Sequence, residues 1–364
     1  MTKRDLVDAD IARASTIPSR VYCDESMFRH LREALFAKSW QPVRDTADLR
    51  TAGRVAPFTL LEGCLDEPLV LTRDDRDVVR CLSNVCTHRG GLVAQGDGQA
   101  SSLRCRYHGR RFGLDGCFRS MPEFQGVEDF PSAADDLPQL PLAEWGPLYF
   151  ACLGSDPVCG FEQWVAPVVE RTAWLRPDRF RLDPARSEEY AVEANWALYC
   201  ENYLEGFHIP YVHRTSLAGA LDHHAYTTHL FDWGSLQIGR PAGGGGPAFA
   251  PPEGHPDHGQ RVAGWYFWLF PNVMLNFYPW GLSLNVVQPV GARRTRVVFR
   301  SYVGDPSRLG EGAGADLHRV EQEDEEIVEE VQRGVASRLY DRGRYSAARE
   351  RGTHHFHRLL ERFL

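Results

Sequence analysis

No run of this chain approaches the roughly eighteen consecutive apolar residues that a membrane-spanning helix needs, so no helical span is expected. The opening Met1-Thr2-Lys3-Arg4-Asp5-Leu6 lacks the apolar core of a secretory signal, and the expected setting is the cytoplasm. A basic excess is missing as well. The 41 Lys and Arg face 49 Asp and Glu, a net charge of −8, which argues against a nucleic-acid binder with its basic stripe. The nine cysteines are odd in number and follow no disulfide spacing. Cys23, Cys64, Cys81, Cys117, Cys152, Cys159 and Cys200 read as small buried residues. No Gly-x-Gly-x-x-Gly strand–helix unit occurs, so no nicotinamide or flavin site is expected. There is no internal repeat, and low complexity is confined to the glycines at 243–246, a loop signal.

What is present is an ordinary globular composition, 43% hydrophobic and 25% charged, in a chain whose 364 residues can build two domains with cores of their own. Residues 24–40 carry Phe28, Leu31, Leu35 and Phe36 near a 3.6 period, a helix that ends at Trp40-Gln41-Pro42. From 43 to 155 short strands alternate with Gly, Pro and Asp. Residues 68–72 and 78–82 flank Arg73-Asp74-Asp75-Arg76 as a hairpin, and 148–153 reads as a closing strand. A Pro- and Asp-rich boundary near 154–160 leads into a helix over 193–208, then strands over 263–270, 282–288 and 296–303. A flexible 304–315 precedes a long acidic helix. The expected fold class is α+β, with an all-β N-terminal half and a C-terminal α+β domain whose antiparallel sheet is covered by helices. The expected divisions are 1–40, a helical segment packing on the C-terminal domain, then 41–155 and 156–364.

The chemistry concentrates first in Cys86-Thr87-His88 and Cys105-Arg106-Tyr107-His108. Each stretch offers one thiolate and one imidazole. Such a set suits a Rieske 2Fe–2S centre, in which both His sit on one iron and raise its potential. Cys2His2 is also a zinc set, although zinc fingers usually keep like ligands together. Arg89-Gly90-Gly91 and Gly109 stand beside the ligands, and small residues there let backbone N–H groups approach cluster sulfurs. These stretches resemble the Rieske motif of the ring-hydroxylating, or Rieske non-haem iron, oxygenase α subunits. Neither loop has the extra Cys of respiratory-chain Rieske proteins.

The second concentration runs from Glu201 to His213. On a helix Glu201, Glu205 and His208 share a face, and a break near Pro210 can swing His213 toward His208. Two His and a carboxylate make the facial triad of non-haem Fe(II) oxygenases; a helix end with two hydrogen-bonded His is the plain alternative. Over 317–335, Leu317, Val320, Ile327, Val328, Val331 and Val335 gather on one helix face with Asp324 near its middle. Glu321 falls at the edge, and Glu323, Glu325 and Glu326 point away. A carboxylate in the middle of a buried face is costly unless paired or metal-bound.

The resemblance extends through these stretches. Glu201-Asn202, Glu205-Gly206-Phe207-His208 and His213 look like the family's mononuclear iron motif, and 323–334 looks like its C-terminal acid helix. It implies one 2Fe–2S cluster per subunit on Cys86, His88, Cys105 and His108, and one Fe(II) on His208, His213 and Asp324. Functional roles fall to Glu205 and Asn202, with Glu205 linking a cluster His of one subunit to His208 of its neighbour in a homotrimer. Glu at 205, where ring-oxidising members mostly carry Asp, resembles the choline, carnitine and glycine-betaine monooxygenases, as does Met121-Pro122-Glu123-Phe124-Gln125-Gly126. The implied activity is O2-dependent hydroxylation or N-demethylation of a small substrate, with electrons from a separate NAD(P)H-dependent reductase or a ferredoxin. The alternatives are an aromatic-ring dioxygenase, a pure electron-transfer Rieske protein and a zinc-bearing binding module.

Trp265, Tyr266, Phe267, Trp268, Phe277, Tyr278 and Trp280 can line a pocket that holds an ammonium cation, but core packing is the reading favoured for each of them. His354-His355-Phe356-His357 reads as an exposed helix end, and His223, His224 and His229 as a loop flanking the substrate channel.

Overall fold

The structure is a computed structural model that describes residues 6–213, 221–244 and 246–364. It forms two compact units, one of residues 37–158 and one joining the chain up to Phe36 to 159–364. The first unit starts at Ala37 and ends at Val158, a few residues outside the 41–155 expected from composition.

The unit of residues 37–158 is all β. Glu67–Arg73 and Val79–Ser83 pair as the expected hairpin, with Leu71 opposite Cys81. They lie inside a five-stranded sheet with Arg54–Leu60, Gly98–Gln99 and Gln139–Leu140. Leu148–Ala151 is the middle strand of a separate three-stranded sheet, between Gln41–Asp45 and Leu142–Trp145. The second motif stretch is the tip of the hairpin Leu103–Arg104 and Arg111–Phe112. Cys86 and Cys105 are both buried in one core with Val55, Val70, Leu82, Leu103, Phe112 and Leu137. That core fixes the two loops from beneath.

In the larger unit, helix α1 (Glu25–Ala34) is capped by Asp24, which accepts from Ser26 N–H, and it is followed by a 3-10 turn, so the helix ends earlier than Trp40. A seven-stranded antiparallel sheet runs, edge to edge, Arg181–Val192, Arg294–Val303, Gly281–Gly291, Val273–Tyr278, Gly264–Leu269, Gly234–Gly239 and Thr227–Phe231. Its three strands 234–239, 264–269 and 273–278 are buried throughout. Strands buried on both faces read as continuous apolar runs rather than alternating ones. Helix α2 (Phe161–Thr172) packs by Trp164, whose indole N–H donates to the Phe270 carbonyl.

The helix expected over 193–208 is shorter. Helix α3 spans Trp196–Tyr203, and a short turn α4 spans Ile209–Val212. The Glu205 carboxylate accepts from the backbone N–H groups of Phe207 and His208. That local bonding competes with continued helix. Pro210 lies at the start of α4, where a missing N–H costs nothing, so it opens the second turn instead of breaking the first. Helix α5 (Leu317–Val335) buries Glu321, Val328, Gln332 and Val335, whereas Val331 is 42% exposed. The stripe is therefore rotated from the expected one. Gln332 accounts for part of this, accepting from Asn195 N–H at the start of α3. Helix α6 (Arg351–Leu360) carries His357 fully buried against Tyr345, contrary to the exposed helix end expected there.

Candidate active site

Helix α3, the turn after it and α5 bring one group of side chains together. His208, His213 and Asp324 each turn one ligand atom inward, all within 4.8 Å of one another. Asp324 Oδ1 lies 3.1 Å from His213 Nε2 and 3.6 Å from His208 Nε2. The opposite ring nitrogens are taken. His208 Nδ1 is 2.7 Å from Glu205 Oε1, and His213 Nδ1 is 2.7 Å from Glu323 Oε2. A carboxylate on one nitrogen fixes the tautomer and leaves the other for a metal. Asn202 donates its amide N–H to Asp324 Oδ1 at 2.6 Å. Burial depresses the His213 imidazole, but Asp324 and Glu323 outweigh it and hold it above its ordinary value.

Three sequence expectations change here. Glu201 does not share a face with Glu205 and His208; its Oε1 lies 2.9 Å from the buried His357 Nε2. Glu323 points toward His213 rather than away from it. Glu321 is not at the edge of its face but 3% exposed, its Oε2 accepting from Tyr199 O–H at 2.5 Å. Burial, and after it the charge of Asp324, pushes the Glu321 carboxyl well above the usual carboxylate range.

A cavity of about 110 Å³ opens on this group. At about 10–15 Å³ per water-sized position it has room for a small organic molecule. Tyr199, Tyr203, Tyr226, Tyr266, Tyr278 and Phe299 supply its aromatic lining, and Gln237, Asn276 and Asn285 its polar lining. Glu205, Glu321 and Asp324 are its acids, and no Lys or Arg is found among its described lining residues. Of the seven aromatics considered from the sequence, only Tyr266 and Tyr278 reach it. Trp265 stacks on Phe249, Phe267 packs against Phe277, and Trp280 lies behind Tyr278. His223, His224 and His229 do not line it; His229 sits on the strand Thr227–Phe231, in a separate hollow with Phe207.

In the smaller unit the rings of His88 and His108 meet edge to face with centroids 4.8 Å apart. Burial, then the neighbouring His108 and Arg89 charges, lower the His88 imidazole, which favours its neutral, ligating form. His108 Nδ1 is buried without a hydrogen-bond partner. A Cβ on Gly91 would come within 2.9 Å of Cys105 Sγ.

Residues 39–131 match the Rieske [2Fe–2S] domain family, and residues 179–364 match the catalytic domain of ring-hydroxylating α subunits. The chain belongs to the Rieske non-haem iron oxygenases. It is 32% identical over 365 residues to the chloroplastic choline monooxygenase of Arabidopsis thaliana, across 96% of this chain and 83% of that one. To the carnitine monooxygenase oxygenase subunit of Escherichia coli K12 it is 30% identical over 372 residues, across 97% and 94%. Its fold matches the quaternary ammonium monooxygenase CntA in complex with L-carnitine at a TM-score of 0.78 and 25% identity, covering 98% and 97% of the two chains.

As a Rieske oxygenase the chain carries a 2Fe–2S cluster and a mononuclear iron, and electrons pass from the cluster to the iron. The residues present fit both groups. The orphaned His108 Nδ1 suits the cluster, as does Gly91, whose lack of a Cβ lets the backbone pass close to Cys105 Sγ. His208, His213 and Asp324 are the one group of three among the described residues gathered closely enough for a single ion. Cys86 lies beside Cys105 and His88 beside His108, a pairing of like ligands that suits the two irons of a Rieske cluster.

Proposed function

We propose that Cys86 and Cys105 hold one iron of the cluster and His88 and His108 the other, and that His208, His213 and Asp324 hold Fe(II). Iron in that facial triad supplies O2 activation. Asn202 holds the Asp324 carboxylate, and Glu205 holds the His208 ring. The substrate is a small quaternary ammonium compound. One C–H bond becomes C–OH, consuming O2, two electrons and two protons and releasing water. If that carbon is an N-methyl, the product sheds formaldehyde as a net demethylation.

The observation that carries the substrate class is the cavity lining: tyrosines and three carboxylates with no described Lys or Arg. Aromatic faces and acids favour a cation; an aromatic acid would meet like charge. The relatives named choline and carnitine monooxygenase point the same way. The electrons come from a separate NAD(P)H-dependent reductase or a ferredoxin. In support, every described strand pair in the sheets is antiparallel, whereas a dinucleotide-binding fold is built on parallel strands. The nine cysteines form no disulfide among the described residues, which suits a reducing, cytoplasmic setting, and no described helix is long and apolar enough to cross a membrane.

The test is turnover with a surrogate reductase. Choline, carnitine and glycine betaine are offered beside benzoate, and substrate-dependent oxygen uptake is measured. At least one ammonium compound is expected to exceed benzoate by roughly tenfold or more. Faster uptake with benzoate would instead establish the aromatic-ring reading.

The cluster assignment makes its own prediction. In Gly91→Ala the new methyl crowds Cys105 Sγ, and overpacking of this kind costs about 1–3 kcal/mol. The purified variant is expected to hold less cluster per chain, read from visible absorbance, or to shift its EPR signal. A wild-type spectrum at full occupancy would move Cys105 out of the cluster.

A further inference from the structure

We propose that Glu321 selects for a positively charged substrate, its free carboxylate oxygen facing the cationic head of the molecule in the cavity. The inference rests on the reading of that cavity as the substrate site. Three carboxylates line it, and two are already committed: Glu205 to His208 and the backbone of its own turn, Asp324 to Asn202 and the two imidazoles. Glu321 differs. Its Oε2 accepts from Tyr199, but its Oε1 has no hydrogen-bond partner although the side chain is buried.

Burial and Asp324 disfavour the charged form of this carboxyl, and a cation beside its unpartnered oxygen restores that form as no neutral group can. A quaternary ammonium has no N–H to donate, so it satisfies Glu321 by charge while leaving the Tyr199 bond intact. Phe299, in the same cavity lining, can take its methyl groups. Glu321 lies one helical turn before Asp324 on α5, about 4.5 Å along the axis. A cationic head held there keeps the carbons next to it close to the triad. With no described Lys or Arg in the lining, no protein cation competes for the place.

The test compares choline with its uncharged carbon isostere, 3,3-dimethylbutan-1-ol, in iron-loaded wild type, Glu321→Gln and Tyr199→Phe. Dissociation constants are read by calorimetry and KM by turnover. Wild type is expected to favour choline by roughly 30-fold, the loss that truncating a buried charge partner brings. In Glu321→Gln the preference should fall to about threefold or less, with iron content unchanged. Tyr199→Phe, which keeps the acid and is measured at raised pH because loss of the Tyr199 O–H bond lifts the Glu321 carboxyl further, should retain most of it. An undiminished preference in Glu321→Gln overturns the proposal, as does an equal loss in Tyr199→Phe, which would make the acid a packing element. A wild-type enzyme that neither binds nor turns over either compound overturns the substrate-site reading itself, and this inference with it.

Discussion

The Asp324→Ala variant is expected to lose its mononuclear iron and its turnover while keeping the colour and EPR signal of the cluster. Among the described residues Asp324 is the one carboxylate that faces both inward ring nitrogens, at 3.1 Å from His213 and 3.6 Å from His208. Its removal leaves two imidazoles and no anionic ligand. Asn202 then points its N–H donors at an empty place. Glu323 cannot substitute, because it holds the far side of the His213 ring. Iron should fall from about three to about two per chain, the two being those of the cluster. Turnover should drop by more than the roughly 100-fold that loss of an outer partner of a metal ligand costs. Metal analysis beside EPR of the reduced protein decides the matter: an unchanged iron count in Asp324→Ala assigns the ligand to another acid.

The two proposed ligand sets stand out in the sequence for different reasons. Cys86, His88, Cys105 and His108 lie in two short stretches, so their type and order carry the chemistry without any fold. Asp324 was legible because its position conflicts with an apolar helix face. The same reasoning failed for its neighbours. Periodicity treats an acid as a solvent residue, yet Glu321 and Gln332 form the buried stripe of α5 through Tyr199 and Asn195, sequence separations of 122 and 137. No local pattern encodes partners at that distance. The early end of α3 depends on the Glu205 side chain turning back on its own backbone, which a helix pattern cannot show. Strand alternation sorted the aromatics. Tyr266 and Asn276 are paired across neighbouring strands and face the cavity, while Trp265 and Phe267 face the other way. Asn276 and Asn285 are polar positions in largely apolar, buried stretches of strand, and both line the cavity. That signal was present in the sequence and could have located the cavity wall.

Glu205→Gln is expected to keep both metals and to slow reoxidation of the pre-reduced cluster, with O2 and substrate present, by roughly 100-fold. Glu205 Oε1 receives His208 Nδ1–H, which leaves Nε2 free to face Asp324. A glutamine can present its N–H2 instead and favour the wrong tautomer, and it brings no charge to attract a second imidazole. Glu205→Asp keeps the charge on a shorter stem and should cost less. In the homotrimer that the family resemblance implies, that second imidazole belongs to a neighbouring copy. Exposed apolar side chains flank both places: Phe207 and Tyr211 beside His208, 44% and 65% exposed, and Leu92 and Tyr107 beside the cluster loops, 44% and 62% exposed. Such groups suit a head-to-tail contact that repeats around a closed ring. Mixed assemblies test the route directly. A Cys86→Ala chain has no cluster but an intact Glu205 and triad; a Glu205→Gln chain has an intact cluster but a damaged bridge. Each alone should be nearly inactive. Co-assembled, the cluster of one chain can serve the triad of the other, and turnover should recover to a substantial fraction of wild type. If transfer ran within each chain, no mixture of the two variants could regain activity, and the intersubunit role of Glu205 would be lost.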